Sequence, residues 1–332
     1  MFEREAMQLL LLLGAGFSRN WGGWLATEAF EYLLGADPIA SNPRHRQLLW
    51  KHYDSGGFEG ALSEIQTEYR RDPAGSKQRL EDFQFAIRQM FDGMNRRFRH
   101  MNGGPAWDPL TLFLDRFDAI FTLNQDVLLE LWYLHTVGHR PRHRGWKGAA
   151  MPGIDQREFN PEIGGDDWSR VYELDDSANG DVAVGYQPYF KLHGSSNWLR
   201  NGKSLLVMGT GKSGEINENP LLRMYFEVFQ NKLSAPDTRL MVIGYGFKDE
   251  HINSALLNAA SRGMQMFVID PAGSNLLHSA NPTRSRGSVS AKNSVEELFE
   301  SALIGASRRS LLDIFSKRDM IEYDKLERFL NE

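Results

Sequence analysis

The sequence contains no cysteine among its 332 residues. Disulfide bonds, thiolate zinc sites and cysteine nucleophiles are therefore excluded for this chain. A chain without disulfides is typical of a reducing compartment, and we expect a cytoplasmic location. No group of histidines and carboxylates has the spacing of a metal site, so we also predict that the site uses no metal.

The sequence lacks a long apolar run. The five leucines at 9–13 fall far short of the roughly 20 residues that a membrane-spanning helix needs. The flanking segment Glu3-Arg4-Glu5 is not basic, as the start of a signal peptide would be. We therefore expect no membrane association and interpret 9–13 as a strand buried on both faces of a parallel sheet.

An excess of positive charge is absent as well, because the formal net charge is -5 at pH 7. This argues against direct nucleic-acid binding. The basic stretch at 139–147 is interpreted as a solvated loop, with contact to nucleic acid or a partner as the alternative. MGTGKS at 208–213 resembles a phosphate-binding loop, but the full motif needs a glycine at Leu206. A lid over a phosphate is the remaining functional interpretation of that loop.

Short apolar runs alternate with segments of helical pattern. The runs cover residues 8–13, 119–123, 189–192, 205–208, 240–243 and 266–269. This alternation predicts an α/β fold with a Rossmann-like, mostly parallel sheet. We predict a helical module inserted at about 41–104 and an irregular insert at about 138–185. Both would belong to a domain at 1–272, followed by a C-terminal helical segment at 292–332.

Small or polar residues follow several of these runs. Open parallel sheets bind ligands beyond the carboxyl ends of their strands, so these residues are the candidates for a site. They fall in the motifs GAGFS at 14–18, TLNQD at 122–126, KLHGSSNW at 191–198, VIGYGFKDEHIN at 242–253 and FVIDP at 267–271. Each motif also has a structural interpretation as a glycine-lined turn, a helix cap or a buried histidine.

The order of these motifs resembles that of the sirtuin family, in particular its zinc-free branch in bacterial anti-phage defence proteins. The resemblance covers roughly 9–271 and implies that NAD⁺ is the substrate. It further implies that Asn124 and Asp126 line the nicotinamide-ribose pocket and that His193 contacts that ribose as a general base. The other implied cofactor-binding residues are Gly14, Ala15, Gly16 and Ser18 at the phosphates, and Gly244, Tyr245, Gly246 and Asp270 at the adenosine half.

The sequence departs from the deacylases of this family in two places. Their cysteine zinc module is missing, and their G-I-P-D-F-R segment is replaced by a Trp-Gly-Gly-Trp segment at 21–24. These tryptophans could shield the nicotinamide site or pack against the helical module. Both departures favour hydrolysis of NAD⁺ over deacylation. Asp249 and His251 match a D-x-H pattern of the zinc-free branch, without an assigned role beyond capping a helix.

NAD⁺ hydrolysis suits the two implied catalytic residues. Nicotinamide leaves as a neutral group, and the ribose develops oxocarbenium character. The Asn124 carbonyl could stabilise that charge and position water. A neutral histidine can accept a proton because its ordinary pKa is about 6.5. We therefore predict an NAD⁺ glycohydrolase that yields nicotinamide and ADP-ribose. The alternatives are a zinc-free protein deacylase or ADP-ribosyltransferase, and a non-catalytic NAD-binding assembly module.

Apolar residues recur among charges after Val295. Such a stripe is buried against the chain's own sheet or against another subunit. The resemblance implies a defence effector that is gated by a trigger. We therefore predict a homo-oligomer or a complex with a partner such as a hexameric DNA-translocating ATPase or an Argonaute.

Overall fold

The computed structural model describes residues 7–54, 56–101, 104–134, 147–154, 172–173, 182–200, 203–209, 211–276 and 294–331. Most of the predicted irregular insert at 138–185 lies outside the described residues, as does the basic stretch except Lys147. Among the helices that are described, none is long and apolar enough to cross a membrane.

The central sheet has seven strands. They are β1 (Gln8–Leu13), β2 (Ala119–Thr122), β3 (Gly148–Ala150), β5 (Tyr186–Lys191), β8 (Thr238–Ile243), β9 (Gln265–Ile269) and β10 (Leu303–Ser307). They lie in the order β10-β9-β8-β1-β2-β5-β3, and every neighbouring pair is parallel. A smaller sheet contains β4 (Tyr172–Glu173), β6 (Gly194–Arg200) and β7 (Lys203–Leu206) in the order β4-β6-β7. The predicted α/β fold with a Rossmann-like sheet is confirmed.

Strand β1 lies at the centre of the main sheet, between β8 and β2. Its residues 10–13 are fully buried, as expected for a parallel strand that is covered on both faces. The chain continues from β1 to β2 on one side and later places β8 on the other side. The strand order therefore reverses between β1 and β8. Ligands of open α/β sheets bind in the crevice at such a reversal, beyond the carboxyl ends of the strands.

Helices surround the sheet. They are α1 (Ala15–Arg19), α2 (Ala26–Gly35), α3 (Pro43–Lys51), α4 (Gly57–Arg71), α5 (Pro73–Arg99), α6 (Gly104–Leu114), α7 (Lys212–Glu218), α8 (Pro220–Leu233), α9 (Glu250–Ala260), α10 (Ser294–Ala302), α11 (Leu311–Phe315) and α12 (Met320–Asn331). The predicted insert corresponds to the helical module α2–α5, which starts before residue 41 and packs α4 against α5. Phe83, Ile87 and Met90 of α5 are buried in its core.

The C-terminal segment is helical in α10, α11 and α12, as predicted, but it also supplies the edge strand β10. Gly305 makes this possible, because a Cβ at that position would lie 2.6 Å from the Phe267 ring of the neighbouring strand. The strand is short and follows α10 directly, so no period of alternating residues marks it in the sequence. The run at 205–208 also differs, since β7 ends at Leu206 and pairs with β6 in the smaller sheet.

Most of the apolar stripe after Val295 is buried within the chain. Leu298, Ile314 and Leu326 each have 0% exposure, whereas Ile321 is 76% exposed. Packing against the chain's own fold accounts for the stripe, so the stripe does not by itself require a partner. Assembly therefore stays a prediction.

Candidate functional site

The glycines of the first motif meet the turn after β8. We call Gly14, Gly16 and Gly244 the glycine turn. The amide of Gly16 donates to the carbonyl oxygen of Gly244 at 2.9 Å. A Cβ on Gly14 would lie 2.5 Å from that oxygen, and one on Gly244 would lie 2.4 Å from the carbonyl carbon of Gly16. Gly244 also has a φ of 65°, in the left-handed region. The close contact between these two turns therefore accounts for the three glycines by itself, and no bound ligand is needed to explain them.

Ser18 connects the first motif to the second. The side-chain amide of Asn124 donates to Ser18 Oγ at 3.0 Å, and the Ser18 hydroxyl also bonds to the Asp126 carboxyl group. Ser18 and Asp126 are buried, whereas Asn124 is half-buried. Burial raises the pKa of Asp126, and Lys191 opposes the increase. Asp126 also accepts from the amide of Leu128 at 3.0 Å, so its capping interpretation holds as well. Asn124 is the member of this group that keeps partial exposure.

His193 follows β5 and is 3% exposed. Its Nε2 atom lies 3.0 Å from Nε2 of His251. Burial is the main cause that lowers the pKa of His193 to about 3, and the nearby Asp249 carboxylate opposes this effect. The imidazole is therefore neutral at neutral pH. The side-chain amide of Gln125 donates to the His193 carbonyl oxygen at 3.2 Å, which ties the second motif to the third.

A chain of charges reaches His251 from the helical module. Lys212 Nζ lies 2.6 Å from Asp249 Oδ1 and 2.9 Å from Glu59 Oε2 of α4. Lys212 belongs to the MGTGKS segment, so its ammonium is already paired within the protein, which argues against the phosphate-lid interpretation. Burial also lowers the pKa of His251. We call His193, His251, Asp249 and Lys212 the histidine cluster.

Three members of this cluster could together contact a cation. Among the described residues, the ligand atoms of His193, Asp249 and His251 form the one such group, all within 4.8 Å of one another. Sequence spacing does not show it, because His193 belongs to a different motif from the other two. Lys212 pairs with both Asp249 and Glu59, so one cation is shared by two carboxylates. A metal-free site stays a prediction.

A buried ion pair between Lys191 and Glu130 lies next to the segments that carry Asn124 and His193. Lys191 is 0% exposed, and its Nζ donates to Glu130 Oε1 and to the Asp126 carbonyl oxygen, each at 2.5 Å. Tyr189 donates to the other carboxylate oxygen of Glu130 at 3.4 Å. The pair joins β5 to the segment after β2, which fixes the relative positions of His193 and Asn124. Sequence reasoning missed it, because only the lysine stands in a motif.

The remaining predicted residues have mainly structural contacts. Tyr245 is buried, and its hydroxyl bonds to Asn253 Oδ1 at 2.9 Å, so its side chain supports the loop before α9. Asp270 accepts from the amide of Ala272 at 2.8 Å, as a turn cap would. It follows β9, which β8 separates from β1. Ala15 and Gly246 show no contact that requires their identity, since Ala15 is exposed and a Cβ on Gly246 would meet nothing within 4 Å.

The two tryptophans of the 21–24 segment pack against helices. Trp21 lies edge-on to Trp107 of α6, with 4.8 Å between ring centroids. Trp24 lies 4.8 Å from Tyr32 of α2. Of the two interpretations of these residues, packing against helical elements is the one that has contacts.

No protein-family model and no curated protein matches the chain. Solved structures that are similar to it at low identity include the following three. A triply substituted Sir2 homologue in complex with 2′-O-acetyl-ADP-ribose has a TM-score of 0.41 and 14% identity, over 98% of this chain and 94% of that one. A substituted Sir2 homologue with ADP-ribose has 0.40 and 14%, over 97% and 94%. Sir2 with an inhibitor, 2′-O-acetyl-ADP-ribose and a deacetylated peptide has 0.33 and 10%, over 96% and 94%. Similarities at such TM-scores assign neither a function nor a residue role.

Proposed function

We propose that the protein binds NAD⁺ and hydrolyses its nicotinamide–ribose bond, yielding nicotinamide and ADP-ribose. The observation that carries the proposal is the placement of Asn124 and a neutral His193 beyond the carboxyl ends of adjacent parallel strands, next to the glycine turn at the reversal of strand order. This is where open α/β sheets bind nucleotides. The motif order that resembles the zinc-free sirtuin branch supports the same ligand.

Each residue has a task in this reaction. Asn124 orients the ribose or the attacking water with its amide group, which Ser18 holds by a hydrogen bond. His193 presents a neutral imidazole to a ribose hydroxyl or to water. Its lowered pKa makes it a weak base in the free protein, in contrast to the ordinary value near 6.5 that the sequence suggested. Hydrogen-bond acceptance and orientation are therefore its first contribution.

Gly14, Ala15, Gly16 and Ser18 would lie near the phosphates, and the 244–246 turn and Asp270 near the adenosine half. The Gly14 amide already donates to Ile243, and the Gly16 amide to Gly244. These residues would thus act by allowing close approach of the nucleotide, since glycine leaves the backbone uncovered.

The test is incubation of the purified protein with NAD⁺ alone and then with an acylated peptide, following nicotinamide and ADP-ribose by chromatography. We expect His193→Ala to lower kcat/KM by about 100- to 10,000-fold and Asn124→Ala by about 100-fold or more. His52→Ala, at a histidine of the helical module that bonds to Glu64, should leave cleavage unchanged. Unchanged cleavage in a folded His193→Ala protein would contradict the proposal, and cleavage only with the peptide would favour the deacylase.

We further propose that the cleavage serves anti-phage defence in the cytoplasm and is gated by homo-oligomerisation or by a partner, such as a hexameric DNA-translocating ATPase or an Argonaute. The support is the family resemblance of the motifs. Light scattering with an activity titration tests the gate. A monomer with full specific activity at every concentration would overturn it and leave the cleavage reaction intact.

A further inference from the structure

His193 has a second histidine where a hydrolytic base commonly has a carboxylate. Nε2 of His193 and Nε2 of His251 are 3.0 Å apart, with an angle of 41° between the rings. Two nitrogens at this distance share one proton, so one ring donates and the other accepts. The direction of this bond decides whether His193 retains a lone pair for the substrate.

Only one direction is compatible with proton acceptance by His193. If His251 donates, neutral His193 carries its proton on Nδ1 and uses its Nε2 lone pair for His251. Neither nitrogen can then accept from the substrate. If His193 donates from Nε2, its Nδ1 lone pair is free. We propose, on the basis of the proposed hydrolysis, that His251 is a positioning residue that holds His193 in the Nε2-protonated tautomer and receives the Nε2 proton during the reaction.

The proton balance of this step is complete. A ribose hydroxyl or the attacking water gives its proton to Nδ1 of His193, and the Nε2 proton of His193 passes to Nε2 of His251. The transferred positive charge then rests on His251, beside the Asp249 carboxylate. Hydrolysis of NAD⁺ releases one proton with nicotinamide and ADP-ribose. After the reaction the Nε2 proton returns from His251 to His193, and the Nδ1 proton of His193 passes to solvent, which restores the starting tautomers.

The surroundings of His251 fit this task. Asp249 opposes the burial that lowers the pKa of His251, whereas Lys212 adds to that burial effect. Glu59 accepts from Lys212 at 2.9 Å and so neutralises the cation nearest to the pair. The Phe226 ring lies 5.6 Å from that of His251 and supports its orientation. The relay also compensates for the weak basicity of His193, because the positive charge need not remain on the His193 ring, which is the more buried of the two.

Two substitutions at His251 separate orientation from proton transfer. His251→Gln keeps an oxygen that can accept from His193 Nε2 but cannot take up a proton. His251→Phe keeps the ring packing on Phe226 and offers no acceptor. We expect His251→Gln to lower kcat by about 10- to 100-fold with little change in KM, and to reduce the solvent deuterium isotope effect on kcat. We expect His251→Phe to lower kcat further and to raise KM. These losses are smaller than the roughly 100- to 10,000-fold expected for a direct base.

A second readout does not depend on turnover. Nitrogen-15 NMR of histidine-labelled protein, with His193→Gln to assign the signal, reports the tautomer of His193 in the full chain. We expect the Nε2-protonated form in the wild type and a mixture of tautomers in His251→Phe. The Nδ1-protonated form in the wild type, or a His251→Gln enzyme with unchanged kcat and isotope effect, would overturn the relay. A wild type with the expected tautomer that cleaves no NAD⁺ at any protein concentration would instead count against the proposed function and leave the tautomer assignment intact.

Discussion

The glycine turn and the histidine cluster lie at the same edge of the sheet, and both were candidates for ligand binding. Their contacts differ. Gly14, Gly16 and Gly244 are each required by backbone contact with one another. His193 is buried and His251 is half-buried, and burial opposes the charged form of each imidazole. Residues of the first kind are explained by folding alone, whereas residues of the second kind lower stability at low pH and call for a functional explanation.

The largest effect should come from the ion pair that holds the cluster in place. Lys191→Met leaves the buried Glu130 carboxylate without its cation, and we expect the free energy of unfolding to fall by about 3–5 kcal/mol. Urea denaturation followed by circular dichroism measures this. The double variant Lys191→Met/Glu130→Gln removes both charges and should recover a large part of the loss. Equal losses in both variants would show that packing, not the ion pair, holds this region.

The next largest effect should come from a substitution in the glycine turn, and we expect it to lower stability more directly than activity. Gly244→Ala places a Cβ 2.4 Å from backbone atoms at a φ of 65°. We expect a loss of about 2–4 kcal/mol in the free energy of unfolding, from the left-handed conformation and the overpacking together. Gly246→Ala is the matched control, since its Cβ would meet nothing within 4 Å. A stable Gly246→Ala protein with weakened NAD⁺ binding would place Gly246 against the ligand, whereas a stable Gly244→Ala protein would break the comparison.

The buried His193 should make stability depend on pH. Its pKa in the folded protein is about 3, against roughly 6.5 when unfolded, so the unfolded chain binds more protons between these values. The contribution is fully present above pH 6.5 and is lost as the pH falls toward 3. We expect wild type to lose about 1 kcal/mol more than His193→Gln between pH 7.5 and 5.5 in urea denaturation. The carboxyl groups contribute equally to both proteins, so the difference between their curves of unfolding free energy against pH reports His193 alone. Parallel curves would show that His193 is not buried as described.

The smallest effect concerns the hydrogen bond between Ser18 of the first motif and Asn124 of the second. Ser18→Ala removes the acceptor of the Asn124 amide, and we expect a loss of about 1 kcal/mol in the free energy of unfolding. Cleavage of NAD⁺ should fall by about 10-fold, because Asn124 loses its orientation. The control is Ser316→Ala, since the buried Ser316 hydroxyl has no hydrogen-bond partner within the described residues. Its removal should not lower stability, and an unchanged cleavage rate in Ser18→Ala would show that Asn124 is held by other contacts.

The sequence by itself determined five strands of the main sheet, β1, β2, β5, β8 and β9, and the places where they end. Parallel strands buried on both faces need continuous apolar runs, so 8–13 and 240–243 were readable as strands. The residues that follow them were identifiable because chain direction fixes which end of a parallel strand faces the crevice. That is why Asn124, His193 and Gly244 were predicted as site residues without any contact being known.

Only the tertiary structure decided which of these residues meet, and what they meet. Glu59, Lys212 and Asp249 come from separate parts of the chain, and their pairing depends on how the helical module and α9 pack on the sheet. The lowered pKa of His193 likewise follows from burial by distant residues, which local sequence does not encode. Strand β10 depends on Gly305 fitting beneath Phe267. Local patterns specify an element and its ends, whereas long-range packing specifies its neighbours, and the chemistry of this site depends on the neighbours.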